Sequence, residues 1–410
     1  MESAQVCVVG GGPAGMMAGL LLARAGLHVT VLEKHSDFLR DFRGDTVHPS
    51  TLRLLDELGL GDRFAKLPHR KLEQMRMHIG DETIIAADFS RIPGRHRYIA
   101  MVPQWDFLAL LAEAAAEEPT FTLRMNTEFT GLRIESGRIT GVEIRNPDGT
   151  TESLATTLVL ACDGRDSRAR TAAGLRQTMF EVPMDVWWLR TPITPGDRHE
   201  GQVFARFEAG RAAVTLDRGD YYQTSYLIPK GADATLRAKG INWFRDELAT
   251  LFNWPPTVLD SLTSWSDVKL LEVTMGRLPT WHAPGLLCLG DAAHTMSPVG
   301  GVGVNLAIQD AVATARILAA PLKTTTLTTA DLAKVQRRRQ LPTTFTQNSQ
   351  LAEHKSLLLP ALNGTLTKVP APLRAINRFP FLAGISAYIG GIGLRPEKAP
   401  TFARPQSMSR

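Results

Sequence analysis

Cysteine is scarce in this chain: Cys7, Cys162 and Cys288 are the only three in 410 residues. No C-x-x-C spacing occurs, which argues against a zinc ribbon or a dithiol redox centre, and a chain of this size needs no disulfide framework. All three fall in apolar runs that read as core strands, where free thiols are usually buried and inert. The expectation is a reduced, cytoplasmic protein without a metal site. Aromatic residues are also sparse, at 7% with five tyrosines. Nothing reaches the roughly 18 uninterrupted apolar residues of a membrane span. The first apolar run, residues 6–9, leads straight into Gly10, so it reads as a strand and not a signal peptide. There is no internal repeat or low-complexity segment.

What remains is ordinary for a soluble enzyme of two or three domains: 44% apolar and 21% charged residues. The net charge of +5 is uneven, because residues 321–410 hold 13 Lys/Arg against 3 Asp/Glu, leaving −5 for residues 1–320. A basic tail can attract acidic surfaces. Arg337-Arg338-Arg339 has no nucleic-acid fold signature or interleaved aromatics beside it, so it reads as the solvated face of a helix, with no nucleic-acid partner.

Three glycine-and-acid signatures carry the function. Gly10-Gly11-Gly12-Pro13-Ala14-Gly15 follows one apolar run, Asp163-Gly164 a second, and Gly290-Asp291-Ala292-Ala293-His294 a third. Each is a strand ending in a turn, and open parallel sheets bind ligands beyond the carboxyl ends of their strands. In the first, backbone N–H groups and a helix N-terminus suit a pyrophosphate. A side chain at Gly12 would hold that phosphate away, and Gly15 lets the helix approach the strand. Glu33 ends the second strand, 18 residues beyond Gly15, where a carboxylate accepts the ribose hydroxyls of an adenosine. Three such turns in this order point to bound FAD. No second strand–GxGxxG–helix unit exists for a resident nicotinamide; Gly390-Gly391-Ile392-Gly393 lacks that context.

Around these motifs, residues 13–25, 49–58, 105–118 and 303–320 read as helices, and 120–132 and 138–144 as strands. Residues 182–269 alternate instead, as an antiparallel sheet does. The expected fold is therefore α/β: a discontinuous Rossmann-like FAD-binding domain (residues 1–75, 98–180 and 270–320), an inserted antiparallel β-sheet substrate domain (76–97 and 181–269), and a helical C-terminal region (321–410).

With Glu33, the Asp163-Gly164-Arg165-Asp166-Ser167 block, and Pro298-Val299-Gly300-Gly301-Val302-Gly303-Val304-Asn305 after Gly290-Asp291, the chain resembles the class A flavoprotein monooxygenases. That family contains p-hydroxybenzoate hydroxylase and the ubiquinone-biosynthesis hydroxylases. The resemblance implies FAD contacts from Gly10, Gly12, Ala14, Gly15, Glu33 and Lys34. Arg43 would lie at the phosphate or ribose, Gln104 on the pyrophosphate side and Asp291 on the ribityl chain. Asp163 would shape its turn, within reach of an approaching nicotinamide. Pro298, Gly301, Gly303, Val304 and Asn305 belong to the loop that opens a helix toward the flavin, whose anionic reduced form that helix end would stabilise. Family members often carry Gln where this chain has Val302, which removes one polar contact but no backbone donor.

His48 and Asp45 are candidates for acid–base or substrate contact, the alternative for each being support of its loop; His294 reads as structural. Trp187, Phe204, Tyr222 and Pro298 are candidate substrate contacts, although alternation lets only one of Trp187 and Trp188 face a pocket. The implied reaction is FAD-dependent hydroxylation of an aromatic or quinol-like small molecule through a flavin C4a-hydroperoxide, using O2 and transient NADPH or NADH. An FAD-dependent dehydrogenase or reductase acting on a C=C bond or isoprenoid is the alternative enzyme. A non-catalytic flavin-binding protein is the alternative outside catalysis. No Trp-x-Trp-x-Ile-Pro motif favours a halogenase. The chain is expected as a monomer or homodimer. Residues 379–394 lack charge and have basic flanks; they either cover the substrate entrance or make weak peripheral membrane contact.

Overall fold

The structure, a computed structural model, describes residues 3–39, 45–193, 203–208, 210–252, 254–366 and 368–405, with backbone only at 203 and 204. Five parallel strands form its centre, in the order Leu286–Cys288, Thr151–Ala161, Ser3–Val9, Val29–Leu32 and Phe121–Arg124. The strands are near-continuous apolar runs because both faces are covered, and Val6, Cys7, Val8 and Leu160 have no exposed surface. Helix Pro13–Arg24 packs on helix Gly303–Lys323, which in turn packs on Thr329–Glu353. The segment Val299–Lys323 is long and apolar enough to cross a membrane, but 72% of its apolar window is buried, so its hydropathy serves the core. All three cysteines are buried too, and burial pushes the Cys7 thiol up to about 12.

A second sheet of seven strands stands beside the first, in the order Lys269–Leu271, Met184–Pro192, Tyr221–Pro229, Arg211–Asp217, Val203–Glu208, Gln74–Ile79 and Glu82–Asp88. Its neighbours are antiparallel except Val203–Glu208 and Gln74–Ile79, which run parallel. Helix Ile241–Phe252 covers its outer face through Phe244, Leu248 and Leu251.

Two expectations change. Residues 120–132 form two strands, Phe121–Arg124 and Glu128–Glu135, separated by Asn126 at φ 52°. The first stays in the parallel sheet; then Asn126 N and Thr127 N donate to His35 O and Glu33 O, and the chain leaves to pair with Arg138–Arg145. The basic run is not a uniformly solvated face. Arg337 is exposed, Arg338 pairs with Glu397 at 2.7 Å, and buried Arg339 lies 3.0 Å from Asp310 and 3.5 Å from Glu397. Consecutive helical residues point about 100° apart, so three in a row cannot share one face.

Candidate active site

Strand register brings the three motifs together. Val9 pairs with both Leu32 and Ala161, and Ala161 pairs with Cys288. Four strand ends are therefore level, and Gly10, Glu33, Asp163 and Gly290 leave the sheet along one edge. Beyond that edge lies a cavity of about 1040 Å³. Single-ligand pockets typically span roughly 300–1,000 Å³, so this one lies at the upper end of that range.

The glycine turn suits a diphosphate for steric reasons that differ by position. A Cβ on Gly15 would lie 1.9 Å from Gly10 O, so that residue brings the helix onto its own turn. A Cβ on Gly12 would meet no protein atom within 4 Å, so its absence keeps open space over the helix end. Gly12 is the N-cap of Pro13–Arg24 and supplies no side-chain cap, leaving first-turn N–H groups for an anion. Helix Gly303–Lys323 likewise has no side-chain cap. The turn before it uses Gly300 at φ 76° and Gly301 at φ 62°.

Glu33 is buried; its Oε2 accepts from Gly11 N at 3.1 Å and its Oε1 from His35 N at 3.0 Å. Its Oε1 also lies 2.6 Å from His35 Nδ1, so the carboxylate is held at the strand end by the residues around it. Exposed Lys34, Ala14, buried Gln104 and Asp291 line the cavity, as do Pro298, Gly301, Gly303 and Val304. Asp163 shapes its turn, accepting from Ser167 Oγ and Ala169 N. Asn305 also borders the cavity, but its Oδ1 accepts from Ser50 and Thr51 hydroxyls at 2.9 and 2.6 Å, tying two helices together. Arg43 lies outside the described residues.

His294 is structural. Its Nε2 lies 2.6 Å from Asp310 Oδ2, and Asp310 also accepts from Gly290 N and pairs with Arg339. Burial opposes charge on Asp310, but His294 and Arg339 prevail and hold its carboxyl below the usual range. The network anchors the Gly290 turn to helix Gly303–Lys323.

The catalytic candidates His48 and Asp45 are both engaged by the protein. The His48 ring is buried, with Nδ1 2.9 Å from Gly390 O and Nε2 3.1 Å from Gly301 O. It braces the glycine loop against helix Phe381–Gly391, and burial lowers its pKa despite the two carbonyls. Asp45 is paired with Arg218 of the second sheet. Burial raises its pKa, with Arg218 opposing.

The second sheet forms the far wall with one face only: Met184, Val186 and Trp188 line the cavity, as do Gln223, Ser225 and Leu227. This corrects two substrate assignments. Trp187 points outward, fully buried, donating from Nε1 to Asp233 at 2.7 Å with Phe244 and Trp265 rings each 5.0 Å away. Tyr222, alternating with Gln223, stacks on Trp254 at 6.2 Å. The outer helix recruits these rings, leaving Trp188 inside. The Phe204 side chain lies outside the described residues. Trp281 is a core residue beside His294.

Sequence reasoning passed over Glu353, which lines the cavity from helix Thr329–Glu353. A signal existed: of the three acids after residue 320, Asp331 closes a capping box with Thr328 and Glu397 takes the arginines. Only Glu353 has no hydrogen bond or ion pair among the described residues. In the C-terminal region, helix Phe381–Gly391 buries Ala383, Ala387 and Gly391 and turns Ser386, Ile389 and Gly390 to the cavity. Phe379, Phe381, Ile385 and Tyr388 stay 42–59% exposed.

A parallel sheet with three level glycine-and-acid turns defines a dinucleotide-binding flavoprotein. The chain matches the FAD binding domain family over residues 3–349 and belongs to it. It is 32% identical over 360 residues to the 6-methylpretetramide 4-monooxygenase of Streptomyces rimosus, covering 86% of this chain and 84% of that one. It is 24% identical over 315 residues to the pentachlorophenol 4-monooxygenase of Sphingobium chlorophenolicum, covering 75% of this chain and 56% of that one. The solved anhydrotetracycline hydroxylase of Streptomyces rimosus has the same fold, with a TM-score of 0.76 at 22% identity over 97% of this chain and 78% of that one. The protein is an FAD-dependent monooxygenase of the aromatic hydroxylase class.

Proposed function

We propose that this enzyme hydroxylates a flat, fused-ring phenolic molecule held between the flavin and the inner face of the seven-stranded sheet. One observation carries the reading: the cavity has a polar, glycine-turned wall at the strand ends and a mostly apolar wall of Met184, Val186, Trp188 and Leu227 opposite. The similarity to a 6-methylpretetramide 4-monooxygenase supports a polycyclic ring. FAD, when bound, would supply the redox chemistry: hydride acceptance from NADPH or NADH and activation of O2 for transfer of one oxygen atom.

The chain's own residues bind, orient and exclude water. The Gly12 helix end takes the diphosphate, Glu33 the adenosine ribose, Asp291 the ribityl chain, and the Gly300–Gly301 turn the reduced ring edge. Asp45 and His48 brace the loops that border the ring. The test is NAD(P)H oxidation by the FAD-loaded enzyme across a panel of fused-ring phenols, with O2 uptake and product mass recorded. Oxidation and O2 uptake stimulated by substrate, with a product one oxygen heavier, are expected. Substrate reduction without O2 uptake would support a dehydrogenase or reductase. Flavin that NAD(P)H never reduces would support a binding protein.

We also infer weak contact with an anionic membrane through helix Phe381–Gly391, where a poorly soluble ring substrate is collected. Its exposed apolar stripe lies among exposed Arg374, Arg378 and Arg395, the combination that favours interfacial binding.

A further inference from the structure

Helix Thr329–Glu353 presents Arg339, Pro342, Thr346, Ser349 and Glu353 to the cavity at three- and four-residue spacing. The adjoining row fixes its rotation. Gln347 Nε2 donates to Gly276 O and Thr295 O at 2.9 and 3.0 Å, and Gln350 Nε2 donates to Ser297 O and Val299 O at 3.0 and 2.8 Å. His354 Nε2 lies 2.9 Å from Ser297 Oγ. Residues on either side of Glu353 are thus bound to the segment that begins the Pro298 loop, so Glu353 stands at the substrate side of that loop. A π-helical turn, His354–Leu358, follows immediately; such turns recur at functional sites. Through Leu357 and Leu358 it joins an apolar cluster with Val186, Leu227 and Val273.

Among the described residues, nothing pairs with the Glu353 carboxyl. Burial alone pushes it up to about 7, with no charged neighbour acting on it. Among the charged or titratable groups of the cavity wall and the adjoining turn, Arg339 is committed to Asp310 and Glu397, Arg218 to Asp45, Arg76 to Gln74, and the His354 ring to Ser297, while Lys355 is exposed. The carboxyl is partly buried and open to the cavity, and a titratable group poised in a cleft is a functional candidate.

We propose that Glu353 receives the substrate's ring hydroxyl, accepting a hydrogen bond from the phenolic O–H and taking its proton when the ring is activated. This rests on the hydroxylase reading above. In the step, the phenolic O–H bond breaks, its electron pair stays on the ring oxygen, and the proton forms a new O–H bond on the carboxylate. The oxyanion feeds electron density to its ortho and para carbons, one of which then takes the incoming oxygen atom. A base that titrates close to neutrality suits this role.

The test uses FAD-loaded wild type, Glu353→Gln and Glu353→Asp at matched FAD content, with 2-naphthol and 2-methoxynaphthalene as probes. Dissociation constants are read from the flavin absorption spectrum between about pH 5.5 and 8.5, spanning the titration of a buried carboxyl. Wild type should prefer the naphthol over its ether, and the preference should grow about tenfold as pH rises through the carboxyl's titration. Glu353→Gln should lose both that growth and about tenfold of the preference, and Glu353→Asp should restore part of each. No naphthol preference in wild type, or the same pH dependence in Glu353→Gln, would overturn the proposal. Melting temperature supplies a ligand-free readout: folding raises this carboxyl's pKa, so its ionisation costs stability as pH climbs from about 4.5 to 7. Glu353→Gln should therefore melt higher than wild type at pH above that window, and an unchanged difference across pH would also overturn the proposal. Naphthol binding without stimulated NADPH oxidation would count against the hydroxylase reading alone, because the binding arm involves no turnover.

Discussion

The two sheets build one cavity in opposite ways. The parallel sheet contributes strand ends: Gly10, Glu33, Asp163 and Gly290 lie one or two residues past the last residue of a strand, and register makes those ends level. The seven-stranded sheet contributes a strand face: Met184, Val186 and Trp188 point into the cavity while Trp187 points away. A residue at a strand end is marked by the turn that follows it. A residue on a strand face is marked only by parity, and parity does not say which face meets the ligand.

That contrast is open to direct attack. The largest effects should come from residues the fold has claimed for itself. Trp187→Ala should cost about 3–5 kcal/mol of stability, as large core truncations do. Trp188→Ala should melt closer to wild type while raising KM for the ring substrate. Denaturant unfolding beside steady-state kinetics separates the two, and reversed phenotypes would mean that the faces have been exchanged.

Asp310→Asn should cost a similar amount, about 3–5 kcal/mol, by removing the buried carboxylate that His294 and Arg339 share and leaving Arg339 only Glu397 at 3.5 Å. The carboxyl is held below its unfolded value of 3.8. Its contribution is therefore present above that value and is lost as pH falls through the lower folded one. Wild type should therefore lose stability steeply as pH falls below about 3.8, whereas Asp310→Asn, already lacking the carboxylate, should show a flatter dependence over the same range.

On the cofactor wall, two neighbouring glycines should part company. Gly15→Ala should destabilise the apoprotein by about 1–3 kcal/mol or more through overpacking, because its Cβ collides with Gly10 O. Gly12→Ala touches no protein atom, so its apoprotein should melt like wild type while its FAD affinity falls. Calorimetry of the apoproteins with FAD titration checks both; a destabilised Gly12→Ala apoprotein would contradict the open-space reading. Glu33→Ala should weaken FAD retention by about 1.5–3 kcal/mol, the worth of hydrogen bonds to a charged group, seen as flavin lost on dialysis.

The smallest effect belongs to the C-terminal stripe. Phe381→Ser with Ile385→Ser should abolish a weak, salt-sensitive co-sedimentation with anionic liposomes and leave melting unchanged, since both side chains are exposed. Truncating the tail would not test this, because Glu397 and Ala403 beyond it are tied into the cofactor domain by Arg316 and Arg24. Absence of wild-type binding at low salt would end the membrane reading, and a concentration-dependent dimer lost in the double variant would assign the stripe to a second copy.

The sequence by itself determined the cofactor wall. Its turns are contiguous, and each residue's task (a helix end without a side chain, a carboxylate at a strand end, a glycine under a close approach) follows from local chemistry. Those local requirements hold wherever the strands sit in the sheet. Only the tertiary structure decided the substrate wall and the reacting side of the cavity. Trp187 and Trp188 exchange roles according to where helix Ile241–Phe252 docks. His48 and Asp45 look like free acid–base groups until Gly390, more than 300 residues away, and Arg218 arrive to engage them. Glu353 looks like a surface acid until the helix that carries it is locked against Ser297 and Val299. The physical reason is the same in each case: a side chain's exposure, partner and proton affinity are set by what packs around it, and those neighbours come from distant parts of the chain.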